Sequence, residues 1–187
     1  MKKFKVSFNS PAVLTFSGLC ILAFILNSVT DGYANLTVFV TYHSSLTNPM
    51  TYVRFFTHVL GHANWPHLIG NMSYILLLGP LLEEKYGTIR ITEIILMTAV
   101  ATALVNYVFF WNVALCGASG ICFAFIIMSS FTSFKEGEIP LTFVLIAFIY
   151  VGGQINDAIV MQDNISNMAH IVGGIVGALF GYLMNKK

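Results

Sequence analysis

The sequence predicts an all-α membrane protein that forms one domain of six transmembrane helices over residues 1–187. Hydrophobic residues make up 57% of the chain and charged residues only 9%, whereas soluble domains average about 25% charged residues. So few charges cannot solvate the surface of a water-soluble globule, which excludes a cytosolic enzyme and a disordered chain. The net charge of +1 also excludes a nucleic-acid binder, because such proteins need a basic surface.

Six apolar runs are candidates for the spans, since a membrane helix needs about 20 mostly apolar residues. The first run is expected to stay as a helix, because no small-residue cleavage pattern typical of a signal peptide follows it. The second run follows Asn64, a candidate helix cap, and Pro66, which suits a first helical turn. The six predicted spans are residues 12–29, 67–82, 91–111, 115–134, 140–153 and 168–184.

The basic residues support six spans and set their orientation. With six spans, both termini and the second–third and fourth–fifth loops share one side of the membrane. Eight of the nine Lys and Arg residues then lie on that side, namely Lys2, Lys3, Lys5, Lys85, Arg90, Lys135, Lys186 and Lys187. By the positive-inside rule this side is cytoplasmic. We therefore expect an integral, multi-pass protein with both termini in the cytoplasm, in keeping with a bacterial plasma membrane.

The longest segment between spans is residues 30–66, on the outer side. It is rich in aromatic residues and poor in charge, and it holds Arg54, the ninth basic residue. A segment that only met water would not be so aromatic. We expect this loop between helices 1 and 2 to be partly embedded in the membrane interface, in contact with lipids, where aromatic rings prefer to lie.

Strongly polar side chains within spans are rare and are functional candidates by default. His67 and Asn71 share a face of the second span, Ser119 lies near the start of the fourth, and His170 lies near the start of the sixth. These three spans all run from the outer side inward, so the four side chains lie at similar depth. A serine becomes a nucleophile when a base such as a neutral imidazole takes its proton.

Small residues predict that the fourth and sixth spans pack closely. The sixth span carries Gly173, Gly177 and Gly181 at four-residue spacing, and the fourth carries Gly120 and Ala124. Small residues at this spacing let membrane helices approach backbone to backbone. If these ridges face each other, His170 lies beside Ser119. The Ser119 backbone N–H, the Asn71 amide and the His67 ring could then stabilise an oxyanion. No Asp or Glu lies in the outer half of a span, so a hydrolase would use a Ser–His dyad.

Three motifs in this order resemble the rhomboid family of intramembrane serine proteases. Residues 62–71 (HANWPHLIGN) are similar to the family's HxxxxHxxxN segment, residues 117–120 (GASG) to its GxSG motif, and residues 169–177 to its AH…G…G final helix. The similarity extends from about residue 52 to residue 182. The resemblance implies a six-helix rhomboid-like bundle that cleaves transmembrane protein substrates in or near the membrane, without cofactor, metal or nucleic acid.

The resemblance also implies a role for each residue of the site. Ser119 matches the nucleophile, His170 the general base, and His67 with Asn71 the oxyanion-stabilising pair. Gly117 and Gly120 match the glycines of the nucleophile motif. Arg54 and Glu83 match structural residues of the family. Phe123 departs from a frequent tyrosine, but its phenyl ring can still pack against His170. A nucleophile in such a tight turn is expected to favour small residues at the scissile bond.

Other interpretations remain open on the residues alone. Ser119 could be a small packing residue, His170 a buried structural histidine and Asn71 a link between helices. His58, His62 and His67 could bind a transported metal ion, although transporter sites usually lie at the bilayer midplane. His58 and His62 are otherwise expected to be structural, and His43 a solvated loop residue. A rhomboid-like escort without catalysis is a further alternative.

Two features outside the motifs complete the expectations. Cys116 and Cys122 have no basic neighbour that would lower a thiol pKa, so neither is expected to be the nucleophile. The loop with Asp157 and Asp163 is expected to be solvated, or to form with span five a mobile side gate hinged at residues 152–153.

Overall fold

The computed structural model describes residues 6–132 and 164–185, with short stretches at 138–139, 141–142, 144–146 and 148–149. The described part is helical, as predicted. Its α-helices are α1 (Pro11–Val29), α2 (Pro49–Thr57), α3 (Trp65–Tyr86), α4 (Thr88–Phe109), α5 (Ser119–Ser129) and α6 (Asn164–Asn185). A short π-helix at Asn35–Phe39 and a 3-10 turn at His58–Leu60 lie between α1 and α3.

Helices α1, α3, α4 and α6 occupy the first, second, third and sixth predicted spans. Among the described residues, Pro11–Val29, Thr88–Phe109 and Asn167–Asn185 are long and apolar enough to cross a membrane by length and composition. The fifth predicted span, 140–153, is helical where it is described, and the rest of it lies outside the described residues. The proposed hinge at 152–153, Asp157 and Asp163 also lie outside them. The count of six spans therefore stays a prediction.

The fourth predicted span differs most from the structure, because α5 begins at Ser119 rather than at residue 115. Leu115 instead exchanges two backbone hydrogen bonds with Thr41, of 2.8 and 2.9 Å. Gly117 then turns the chain with a φ of +119°, a conformation that favours glycine. An apolar run cannot reveal such a break, since Leu115 and Val113 are as hydrophobic as the helix that follows. The predicted end at residue 134 lies outside the described residues.

The segment between α1 and α3 is more ordered than a loop. Helix α2 is capped by Asn48, whose side chain accepts a 3.0 Å hydrogen bond from the Met50 N–H. Its buried Arg54 donates from Nε to the Met50 carbonyl at 3.1 Å and lies over the Tyr42 ring at 4.2 Å. These contacts give Arg54 the structural role expected for it. Whether the segment enters the membrane interface stays a prediction.

Helix α5 is the innermost helix of the described part, since eight of its 11 residues are buried. Phe125 and Met128 of α5 form one core with Ile75 of α3 and Ile94 of α4. Helix α1 is fixed to the same core by Glu83, whose carboxylate accepts the backbone N–H groups of Ala12 and Val13 at 2.9 and 3.0 Å. The outer faces of α1, α3 and α4 expose large apolar residues such as Leu22, Leu77 and Met97. The arrangement places the start of α5 in the middle of the bundle.

Candidate active site

The start of α3 places two of the predicted site residues. The Asn64 side chain accepts a 2.9 Å hydrogen bond from the His67 N–H, which caps the helix as predicted. Pro66 stands in the first turn, where its missing N–H costs no helical hydrogen bond. His67 therefore lies in the first turn of α3, and Asn71 lies one turn deeper on the same face.

The turn before α5 places Ser119 and explains Gly117. The Gly117 N–H donates a 2.9 Å hydrogen bond to the His58 carbonyl. A methyl group on Gly117 would lie 2.6 Å from His67 Nε2, so the position requires glycine for space as well as for its positive φ. Ser119 follows as the first residue of α5. Its backbone N–H is one of the first-turn donors that have no partner within a helix.

Helices α5 and α6 approach backbone to backbone, which confirms the predicted packing of the two small-residue ridges. A methyl group on Gly173 would lie 2.0 Å from the Gly120 carbonyl oxygen, and one on Gly177 would lie 2.3 Å from the Ala124 carbonyl oxygen. A methyl group on Gly120 would lie 3.3 Å from the Ala169 oxygen. His170, the next residue, is thereby brought to the level of Ser119.

The Phe123 ring packs flat against His170, as the sequence predicted. The ring centroids are 4.2 Å apart and the ring planes differ by 7°. Because Phe123 lies one turn after Ser119 on α5, this stack limits the positions that the imidazole can take beside the serine. The contact needs only an aromatic face, which a phenyl ring supplies.

One cavity of about 410 Å³ brings the four polar candidates together. Ser119, His170, His67 and Asn71 all line it. Gly117 lies against the His67 ring beside it, and Gly120 lies at the α5–α6 contact. The other lining residues are Pro66, Gly70, Tyr74, Cys122, Phe123 and Ile126. A hydroxyl, two imidazoles and an amide around one cavity can supply a nucleophile, a base and hydrogen-bond donors.

Two histidines outside the cavity lining hold the site in place. His58 is fully buried, with Nδ1 3.1 Å from the Arg54 carbonyl and Nε2 3.2 Å from the Thr102 hydroxyl. Burial lowers the pKa of His58 to about 4, so the ring is neutral near pH 7. His62 is also fully buried, and its Nε2 lies 3.0 Å from Asn71 Nδ2. The structural role expected for both histidines fits these contacts.

The sequence alone did not reveal every contact of the site. The hydrogen bond between His62 and Asn71 depends on how the chain turns from His62 into α3, which no spacing rule gives. The sequence also gives no sign of the contact of Cys122, whose thiol lies 3.4 Å from the Asn71 backbone oxygen. Tyr74 and Ile126 could have been found, because they follow Gly70 and Cys122 by four residues and so extend the same helix faces.

Comparisons with known proteins identify the family of this chain. Residues 49–187 match the family model of the Rhomboid domain. Rhomboid-related protein 1 of Caenorhabditis elegans is 31% identical over 140 residues, which are 70% of this chain and 39% of that protein. Rhomboid protease GlpG of Haemophilus influenzae is 22% identical over 180 residues, 92% of this chain and 90% of that protein. Rhomboid-related protein 2 of Mus musculus is 28% identical over 158 residues, 73% of this chain and 52% of that protein.

The chain thus spans less than half of the C. elegans relative and about half of the mouse relative, but most of the H. influenzae protease. The matched domain covers nearly three quarters of the chain and includes all six residues predicted for the site. The chain belongs to the rhomboid family.

Proposed function

We propose that this protein is an intramembrane serine endopeptidase that hydrolyses peptide bonds in or near transmembrane segments of other membrane proteins. The observation that carries the proposal is the convergence of Ser119, His170, His67 and Asn71 on one cavity. GlpG of H. influenzae, which is similar over 92% of the chain, is named a rhomboid protease. Family membership and the apolar helices make this chain an integral membrane protein.

In the proposed reaction His170 is the general base and Ser119 the nucleophile. His170 takes the Ser119 hydroxyl proton while Oγ attacks the scissile carbonyl carbon. The proton then passes from His170 to the leaving amine, and an acyl group stays on Ser119. A water molecule, deprotonated by His170, hydrolyses this ester and restores the serine. The flat stack on Phe123 supports this role, since it holds the imidazole in one plane.

The oxyanion formed on the scissile carbonyl would be stabilised by three donors. These are the Ser119 backbone N–H at the start of α5, the Asn71 amide and the His67 ring. The position of a methyl group on Gly117 lies 2.6 Å from His67 Nε2 and 3.7 Å from Asn71 Nδ2, so the two side chains converge on one side of the nucleophile turn. Donors fixed before the reaction in a water-poor site stabilise developing charge strongly.

A Ser–His dyad is proposed because no carboxylate belongs to the described residues that line the cavity. The alternative of metal transport has less support from the contacts. Both ring nitrogens of His58 and of His62 lie within hydrogen-bond distance of protein partners. Neither ring presents a free nitrogen to a metal ion. We therefore propose no metal and no cofactor for the reaction.

The place of cleavage is proposed from the predicted orientation of the helices. If these helices run inward, as the basic residues predict, all four polar candidates lie in their outer turns, and cleavage is proposed close to the outer membrane surface. From the distribution of basic residues we propose cytoplasmic termini, with a bacterial plasma membrane as a compatible location. A preference for small residues at the scissile bond is proposed because the nucleophile follows a turn that Gly117 makes narrow.

Reconstitution with a model transmembrane substrate tests the proposed activity. Purified wild-type protein in liposomes should cleave a substrate whose helix starts with small residues. Ser119→Ala and His170→Ala should reduce cleavage to the rate of empty liposomes. Ser73→Ala is a matched control for Ser119→Ala, because the Ser73 side chain is exposed and lies outside the cavity. Folded wild-type protein that leaves several such substrates intact would favour a non-catalytic rhomboid-like escort.

A further inference from the structure

The two ring nitrogens of His62 have different partners, which fixes the ring's proton. Nδ1 lies 3.0 Å from the Leu60 carbonyl oxygen. A carbonyl can only accept a hydrogen bond, so Nδ1 carries the hydrogen. Burial, with the neighbouring His67 adding to it, lowers the pKa of His62 to about 4. The ring is therefore neutral near pH 7, and its Nε2 is a hydrogen-bond acceptor.

This acceptor fixes the orientation of the Asn71 amide. Nδ2 of Asn71 lies 3.0 Å from His62 Nε2 and must be the donor. On the other side of the amide, the Cys122 thiol lies 3.6 Å from Oδ1 and faces an acceptor in this orientation. Turning the amide by 180° would place Oδ1 against the lone pair of Nε2. Both contacts therefore favour the same rotamer.

In this orientation Asn71 presents nitrogen rather than oxygen on the side of His67. One N–H of Nδ2 is used by His62, and the second is left for another acceptor. A methyl group added to Gly117 would lie 3.7 Å from Asn71 Nδ2 and 2.6 Å from His67 Nε2. An oxyanion beside the nucleophile turn would thus meet donors from both side chains.

His62 is itself anchored by the surrounding chain. Its carbonyl accepts a 3.1 Å hydrogen bond from Asn35 Nδ2. The ring lies edge-on to the His67 ring, with centroids 5.0 Å apart and an angle of 66° between the planes. A rigid acceptor in this position can hold the Asn71 amide without touching the reacting atoms.

We propose that His62 is a positioning residue that holds the Asn71 amide with its NH₂ group directed toward the oxyanion, a role that rests on the proposed function. His62 acts through Asn71 and is not a catalytic residue. A His62 ring that only supported the start of α3 would not need its Nε2 to be an acceptor. This difference makes the two roles separable by experiment.

A double-mutant cycle on substrate cleavage tests whether His62 acts through Asn71. His62→Leu should lower kcat by up to about 100-fold with little change in KM, since removing an oxyanion donor outright costs about 10²–10³ in kcat. His62→Gln, which can offer an acceptor oxygen at the position of Nε2, should retain more activity. In an Asn71→Ala background, His62→Leu should change kcat by less than about twofold. The proposal would be overturned if His62→Leu lowered kcat by the same factor in the wild-type and Asn71→Ala backgrounds. A His62→Leu protein as active as wild type would also overturn it.

The tautomer of His62 can be measured without any enzymatic activity. The ¹⁵N spectrum of wild-type protein labelled on histidine should show one neutral ring protonated at Nδ1 near pH 7 whose Nε2 signal moves in Asn71→Ala. A His62 ring found protonated at Nε2 would overturn the proposal even in an active enzyme. Wild-type protein without Ser119-dependent cleavage would refute the proposed function, while this spectrum would still decide the orientation of the amide.

Discussion

The contact between Gly173 and Gly120 makes the most demanding prediction. A methyl group on Gly173 would lie 2.0 Å from the Gly120 carbonyl oxygen and 2.9 Å from its Cα. A Cβ atom does not come closer than 3.0 Å to another heavy atom. The Gly120 backbone cannot turn aside as the end of a flexible side chain could. In Gly173→Ala, α6 must therefore move about 1 Å from α5 at the level of Ser119. A misplacement of about 1 Å can cost about 100-fold in rate.

The adjacent glycine supplies a matched control. A methyl group on Gly174 meets only Ile127 Cγ1 at 3.6 Å, an ordinary contact. Gly174→Ala should keep its activity within about twofold and gain about 0.5–1 kcal/mol in helix stability. Gly173→Ala should lose about 1–3 kcal/mol of folding stability through overpacking and about 100-fold in kcat. Cleavage rates and thermal unfolding in the same detergent measure both effects. Equal activity of the two variants would refute the close approach of α5 and α6.

Three further predictions concern the frame around the site. Glu83→Ala should lower the free energy of unfolding by about 3 kcal/mol, because charge-assisted hydrogen bonds contribute about 1.5–3 kcal/mol each; the exposed neighbour variant Glu84→Ala should change it by less than about 0.5 kcal/mol. Chemical unfolding in micelles measures the free energy of unfolding of both variants. Because burial lowers the pKa of His58 from 6.5 to about 4, stability is full above pH 6.5. It should fall toward pH 4 by up to about 1.4 kcal/mol per pH unit. His58→Gln should make the unfolding midpoint depend less on pH between pH 6.5 and pH 4. An unchanged pH dependence would contradict the role given to His58. Gly117→Ala, with its methyl group 2.6 Å from His67 Nε2, should lose at least about 100-fold in cleavage rate, and activity near wild type would be inconsistent with the turn described.

The candidate site was predictable because its residues are marked by strong local rules. Asn64 and Pro66 are cap residues, so the sequence placed the start of α3 and with it His67. Glycines at four-residue spacing marked the face of α6 that meets α5. Polar side chains are rare in apolar helices, which makes Ser119 and His170 functional candidates. Each rule marks residues within one helix. The similar depth of these residues in the membrane then predicts that they lie close together.

The features that the sequence did not give depend on contacts between distant segments. Helix α5 begins at Ser119 because Leu115 pairs with Thr41, 74 residues earlier. Helix α2 is only nine residues long, and its buried residues include the charged Arg54, which lies over the Tyr42 ring. The His62–Asn71 hydrogen bond likewise depends on a backbone turn. Hydrophobic patterning reports which residues are buried and not which buried residues meet.

The most direct test of the account is covalent labelling of Ser119 by a fluorophosphonate probe, located by mass spectrometry of the purified protein in lipid. The account predicts an adduct on the peptide that contains Ser119, and its loss in both Ser119→Ala and His170→Ala while Ser73→Ala still labels. An adduct that persists in folded His170→Ala, or a folded wild-type protein that forms none, would contradict the pairing of Ser119 with His170.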